Sequence, residues 1–137
     1  MNMDYQEYLN RTQQASELMS SGRLQETIDF LYLLFLSDIS DIDKVSICAN
    51  LATVYDRMGN TESAISWFDK GIDLELIYCR FEVTEKKAQY LSQIGRSNEA
   101  LPIYETLISQ PFVSEADKDR MRKTIQVFLG QTTRPWK

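Results

Sequence analysis

A seven-residue phrase occurs three times in this 137-residue chain. Gly22-Arg-Leu-Gln-Glu-Thr27-Ile28 returns as Gly59-Asn-Thr-Glu-Ser-Ala64-Ile65 and again as Gly95-Arg-Ser-Asn-Glu-Ala100-Leu101. The glycines stand 37 and 36 residues apart. A fixed period in the thirties is the mark of helical hairpins arranged in series, because one hairpin cannot bury its own apolar side and needs a neighbour to do so.

The residues around each phrase support that architecture. After each glycine the apolar positions recur at i, i+1, i+4, i+7 and i+8, one stripe of a 3.6-residue helix. The three sets are Thr27, Ile28, Leu31, Leu34, Phe35; Ala64, Ile65, Phe68, Gly71, Ile72; and Ala100, Leu101, Tyr104, Leu107, Ile108. Each set begins on a small residue, which lets a neighbouring helix come close. Upstream of the glycines lie partner stripes: Tyr5, Tyr8, Leu9, Ala15, Leu18, Met19; Cys48, Leu51, Ala52, Tyr55, Met58; and Val83, Ala88, Leu91, Ile94. Each glycine follows such a stripe, where a left-handed residue closes a helix at little steric cost. Asn60 or Thr61 and Ser97 are the expected N-caps of the following helices.

These residues resemble the tetratricopeptide repeat family. The second repeat carries the resemblance best, through Leu51, Ala52, Tyr55, Gly59, Ala64 and Phe68, with Gly71 in place of the last alanine. The third keeps Ala88, Gly95, Ala100 and Tyr104; the first keeps Ala15, Gly22, Thr27, Leu31 and Leu34. The spacing exceeds the family's 34-residue unit by two to three residues. The inter-repeat turns or helix ends are therefore expected to be extended. The resemblance implies an all-α fold: a right-handed α-solenoid of three hairpins plus a capping helix, about seven helices in a single domain. The repeats fall at about 5–37, 42–76 and 79–112. Ser114 with Asp117 opens the capping helix at 115–129, with apolar positions Met121, Ile125, Phe128 and Leu129 and a stop at Gly130. The tail 130–137 is expected to be flexible. Its Arg134-Pro-Trp136 stretch could serve as an anchor docking into a groove. Pro102 is expected to distort the early turns of its helix.

Composition excludes several functions. A net charge of −5 argues against a nucleic-acid partner and against an anionic membrane surface. The longest apolar run, Phe30 to Leu36, is far short of the ~20 residues a membrane span needs, and the first residues show no secretory leader, so a cytoplasmic location is expected. With no histidine, histidine-based catalysis and metal ligation are excluded. No phosphate loop appears. The acidic stretch Asp38-Ile-Ser-Asp41-Ile-Asp43 lacks the order and closing glutamate of a calcium loop, and Ser40 with Asp43 reads as a helix cap. Cys48 and Cys79 read as buried free thiols. No catalytic residue, metal site or cofactor is expected, and the chain is not read as an enzyme.

Two surfaces remain. The resemblance implies that the first helix of each pair lines a groove for a peptide or protein partner. The corresponding positions are Thr12, Ser16 and Met19; Asn50, Thr53, Asp56 and Arg57; and Glu82, Glu85, Lys86, Gln89 and Gln93. Some family members clamp a C-terminal carboxylate at five of these positions, which here read Thr12, Ser16, Asn50, Glu82 and Lys86. Only Asn50 matches, and Glu82 would repel the carboxylate, so that activity is not expected. The second surface is the apolar excess of residues 24–36. Phe30, Tyr32, Leu33 and Leu36 lie off the core stripe and form a candidate self-association patch for a homodimer, unless the N-terminal segment or the turn at 37–44 folds over them. The functional expectation is a non-enzymatic adaptor or scaffold. The alternative is a chaperone for a secreted or assembly substrate, the role that tetratricopeptide proteins of similar size play in bacterial secretion.

Overall fold

A computed structural model describes residues 3–133. Among them it contains seven helices and no strand. They are α1 (Tyr5–Ser20), α2 (Leu24–Phe35), α3 (Asp41–Arg57), α4 (Thr61–Leu76), α5 (Glu82–Gln93), α6 (Ser97–Leu107) and α7 (Glu115–Thr133). They divide into two compact units, Met1–Tyr78 with α1–α4 and Cys79–Lys137 with α5–α7.

The three repeated glycines sit at the bends inside the pairs α1–α2, α3–α4 and α5–α6, with φ of +76°, +78° and +83°. Each bend closes in the same way. The glycine N–H donates to the carbonyl three residues back, and the next N–H donates to the carbonyl five back. The latter bonds are Arg23 to Leu18 at 3.0 Å, Asn60 to Tyr55 at 2.9 Å and Arg96 to Leu91 at 2.7 Å. This is the six-to-one bond of a Schellman cap, which needs one residue in the left-handed region.

Caps fix the helix starts. The Ser40 hydroxyl accepts from the Asp43 N–H at 3.1 Å, and the Asn60 side chain from the Ser63 N–H at 3.2 Å. The Ser114 hydroxyl accepts from the Asp117 N–H and donates to its carboxylate. Ser97 is not a cap: it is the first helical residue, and the cap position is held by Arg96, whose side chain makes no capping bond to the helix backbone. α6 runs through Pro102 as a continuous helix. Gly130 does not end α7, which continues to Thr133; with no left-handed φ at Gly130, the backbone stays helical. The anchor stretch 134–137 lies outside the described residues.

In the first unit the core joins α1, α2 and α3 through Tyr8, Ala15, Ile28, Leu31, Leu34, Ile47, Leu51 and Val54. The small residues that open the second helices are fully packed: Thr27 is 1% exposed, Ala64 and Ala100 are 0%. In the second unit Val83, Ala88, Leu91, Tyr104, Leu107, Met121 and Phe128 are buried. Four positions expected on core stripes are exposed instead: Tyr5, Leu9, Met58 and Leu129. All lie near helix ends, where a stripe runs past the neighbour it packs against. Cys48 is buried and free, but Cys79 is exposed. Cys79 lies between α4 and α5 with φ +56°, in a turn and outside the helical register assumed for it.

Candidate functional site

Within the first unit, α1 and α3 form the walls of a pocket and α2 its floor. From α1 come Thr12, Ala15, Ser16 and Met19, and from α3 come Asn50 and Thr53. Thr27 and Leu31 of α2 close the bottom, and the space measures about 220 Å³. Five of the twelve groove positions anticipated from the sequence, Thr12, Ser16, Met19, Asn50 and Thr53, thus converge on one cavity.

No lining residue carries a charge. Its hydrogen-bonding character is set by helical back-bonding. The hydroxyls of Thr12, Thr27 and Thr53 donate to the carbonyls of Leu9, Arg23 and Ala49 at 2.9, 2.7 and 3.1 Å. Their donors are committed, so they offer the cavity lone pairs alone. The side chains of Ser16 and Asn50 make no hydrogen bond among the described residues. The Asn50 amide can donate twice and accept, matching the N–H and C=O of an extended backbone. Asp56 and Arg57 lie on α3 about one turn beyond Thr53 and are exposed.

The remaining anticipated positions belong to the second unit. Glu82, Lys86, Gln89 and Gln93 are exposed on α5. Glu85 is half-buried, and its carboxylate accepts two bonds from the Arg120 guanidinium of α7. The pair ties α5 to α7.

The candidate patch on α2 separates into two parts. Phe30 is half-buried against the first unit's core, in company with Phe35 and Trp67. The Trp67 ring of α4 meets Tyr32 and Phe35 edge-on, with centroids 5.9 and 5.3 Å apart. Lys70 covers Trp67 at 5.1 Å, and Lys44 covers Phe35 at 5.5 Å. Tyr32, Leu33 and Leu36 stay open, at 45%, 67% and 59% exposure. Sequence periodicity could not reveal the role of Trp67, because the position it fills lies between helices.

Reactive chemistry is sparse. Burial pushes the Cys48 thiol up to about 11, opposed by Lys70 and Lys44, so it is protonated and inert at neutral pH. Among the described residues no group of three or more Cys, Asp or Glu could hold a metal ion. No described helix is long and apolar enough to cross a membrane.

A helical-hairpin repeat protein is the class this fold and groove define. Residues 45–77, which cover most of α3 and all of α4, match the tetratricopeptide repeat family, and the α3–α4 hairpin is a repeat of that kind. Repeats of this family generally mediate protein–protein interaction. No curated protein and no solved structure matches the chain.

Proposed function

We propose that the chain is a non-enzymatic binding module that receives an extended peptide segment of a partner protein in the α1–α3 groove, acting as an adaptor or scaffold in the cytoplasm. The observation that carries this reading is the Asn50 amide, without a side-chain partner among the described residues, beside an uncharged cavity of about 220 Å³ that also presents Ala15, Met19 and Leu31. A concave pocket that combines apolar side chains with convergent polar groups is the usual form of a recognition site. Peptide display against the full chain tests it. Sequences selected on the native protein should lose at least tenfold in affinity for a Ser16→Trp, Asn50→Arg variant, which fills the cavity from both walls. Selected sequences that bind both proteins equally, or no selection at all, would overturn it.

A second reading is favoured by the exposure of Leu33 and Leu36 on α2. A second copy of this chain would cover that strip across a twofold axis, the commonest closed symmetry. Mass in solution decides it: Leu33→Glu with Leu36→Glu should convert a dimer to a monomer. A native protein that is already monomeric at high concentration rules it out.

A further inference from the structure

A second cavity of about 330 Å³ lies at the other end of the same two helices. Tyr5 and Tyr8 of α1 form one side. Asp38, in the α2–α3 connection, and Asp43, in the first turn of α3, form the other. The Met3 N–H donates to the Asp38 carbonyl at 2.9 Å, drawing the start of the chain across the connection.

Tyr8 is only 8% exposed, yet its hydroxyl has no hydrogen bond among the described residues. Among the described residues no buried side-chain polar atom is left without a hydrogen-bond partner, so the Tyr8 hydroxyl reaches solvent through the cavity it lines. Burial, then Asp43, then Tyr5, pushes the phenol up to about 12, which keeps it neutral. The Asp43 carboxylate makes no ion pair among the described residues. The Tyr5 and Tyr8 rings stack at 6.3 Å and 25°. Phenol rings with an unpaired carboxylate suit an organic cation, which gains from both the ring faces and the charge. Among the described residues no group of three or more Cys, Asp or Glu could hold a bare metal ion here.

The wider field has the same sign. Residues 1–78 hold thirteen acidic and five basic side chains, a net charge of −8. Residues 79–137 hold seven acidic and ten basic ones, a net charge of +3. The acidity of the chain therefore resides in the unit that carries both cavities, and it steers cationic segments there.

The two cavities share one track. Tyr5, Leu9, Thr12, Ser16 and Met19 fall on one stripe of α1, and Asp43, Ser46, Asn50, Thr53 and Arg57 on one stripe of α3. About nine helical residues separate the cavity centres, roughly 13 Å of helix rise. An extended chain covers that distance in about four residues.

We propose that the groove recognises a bipartite peptide, with a lysine or arginine side chain between Tyr5, Tyr8 and Asp43, and an uncharged side chain about four residues away over Thr27 and Leu31. This rests on the peptide-binding reading above and names its ligand class.

Peptides selected on the full chain, and sensitive to Ser16→Trp, provide the test. Lysine or arginine should be enriched at one position about four residues from an apolar one. Changing that residue to norleucine should weaken binding at least tenfold. Against Asp43→Asn with Tyr8→Phe, two changes that keep shape and helix, that discrimination should fall below threefold while the apolar preference persists. Ser16→Trp-sensitive peptides without a basic position, or with a preference unmoved by Asp43→Asn and Tyr8→Phe, would overturn this inference and leave the groove reading standing. Absence of any Ser16→Trp-sensitive peptide would overturn both.

Discussion

Arg120 of α7 and Glu85 of α5 are joined by two guanidinium hydrogen bonds, and Asp117 accepts a third from the same group at 3.1 Å. Arg120, then Ser114, holds the Asp117 carboxyl below the usual carboxylate range. The Glu85 side chain is 12% exposed against 50% for Arg120, so the acid is the partner that depends on the pair.

Arg120→Ala should therefore destabilise the protein by about 1 kcal/mol, most of it from leaving Glu85 half-buried beside no cation. Adding Glu85→Gln should recover part of the loss, giving a coupling of ~0.5 kcal/mol or more in a double-mutant cycle. Urea unfolding of the four proteins measures it. Strictly additive changes would show that the pair holds α7 only weakly.

Two glycines should respond in opposite directions to the same substitution. A Cβ would meet nothing within 4 Å at either Gly59 or Gly130. Space is equal, so conformation decides. Gly59 has φ +78° and Gly130 lies inside α7. Gly59→Ala should lower stability by about 1 kcal/mol through left-handed strain. Gly130→Ala should raise it by about 0.5 kcal/mol, since alanine holds a helix better than glycine. Paired thermal melts check both signs.

That contrast shows what the sequence could and could not disclose. The bends at Gly22, Gly59 and Gly95 were legible because a left-handed residue leaves a chemical trace that repeats with the period. Gly130 carries the same letter without the conformation, and only the backbone distinguishes them. In the groove, Thr12, Ser16, Met19, Asn50 and Thr53 were legible because the hairpin register puts them on facing stripes. The tie between Glu85 and Arg120 was not legible, because the two lie 35 residues apart. The cavity at Tyr5, Tyr8, Asp38 and Asp43 was not foreseen, since it joins a helix start to a distant turn that no periodicity links. Tyr5 and Leu9 read as core from their spacing, but exposure depends on where the neighbouring helix stops.

Stability should fall on the alkaline side. Burial raises Cys48 from 9.0 to about 11 and Tyr8 from 10.0 to about 12, and it raises Tyr104 as well. In each case the folded state favours the protonated form. The unfolded chain releases these protons first, so the stabilisation is complete below the unfolded values and is lost as pH rises through the folded ones. The loss should begin near pH 9 and continue to about pH 12. Cys48→Ala should flatten the lower part of that window and Tyr8→Phe the upper part. Urea midpoints taken from pH 7 to about 12 would show it, and an unchanged slope in Cys48→Ala would locate the effect elsewhere.

Leu31 and Leu33, two residues apart on α2, separate the core from the open strip. Leu31 is 2% exposed and forms part of the groove floor; Leu33 is 67% exposed. Leu31→Ala removes packed methyl groups and leaves a void, at a cost of about 2–4 kcal/mol. Leu33→Ala removes atoms that already face solvent and should change monomer stability by less than about 0.5 kcal/mol. The two variants also separate the proposed surfaces. Leu31→Ala enlarges the cavity beneath a bound peptide and should shift selection toward bulkier apolar side chains. Leu33→Ala should leave peptide selection untouched and weaken self-association alone. Chemical unfolding, peptide display and mass in solution, applied to both variants, would reveal any departure: a Leu33→Ala variant with altered peptide preference would mean that the α2 strip, rather than the α1–α3 groove, carries the recognition.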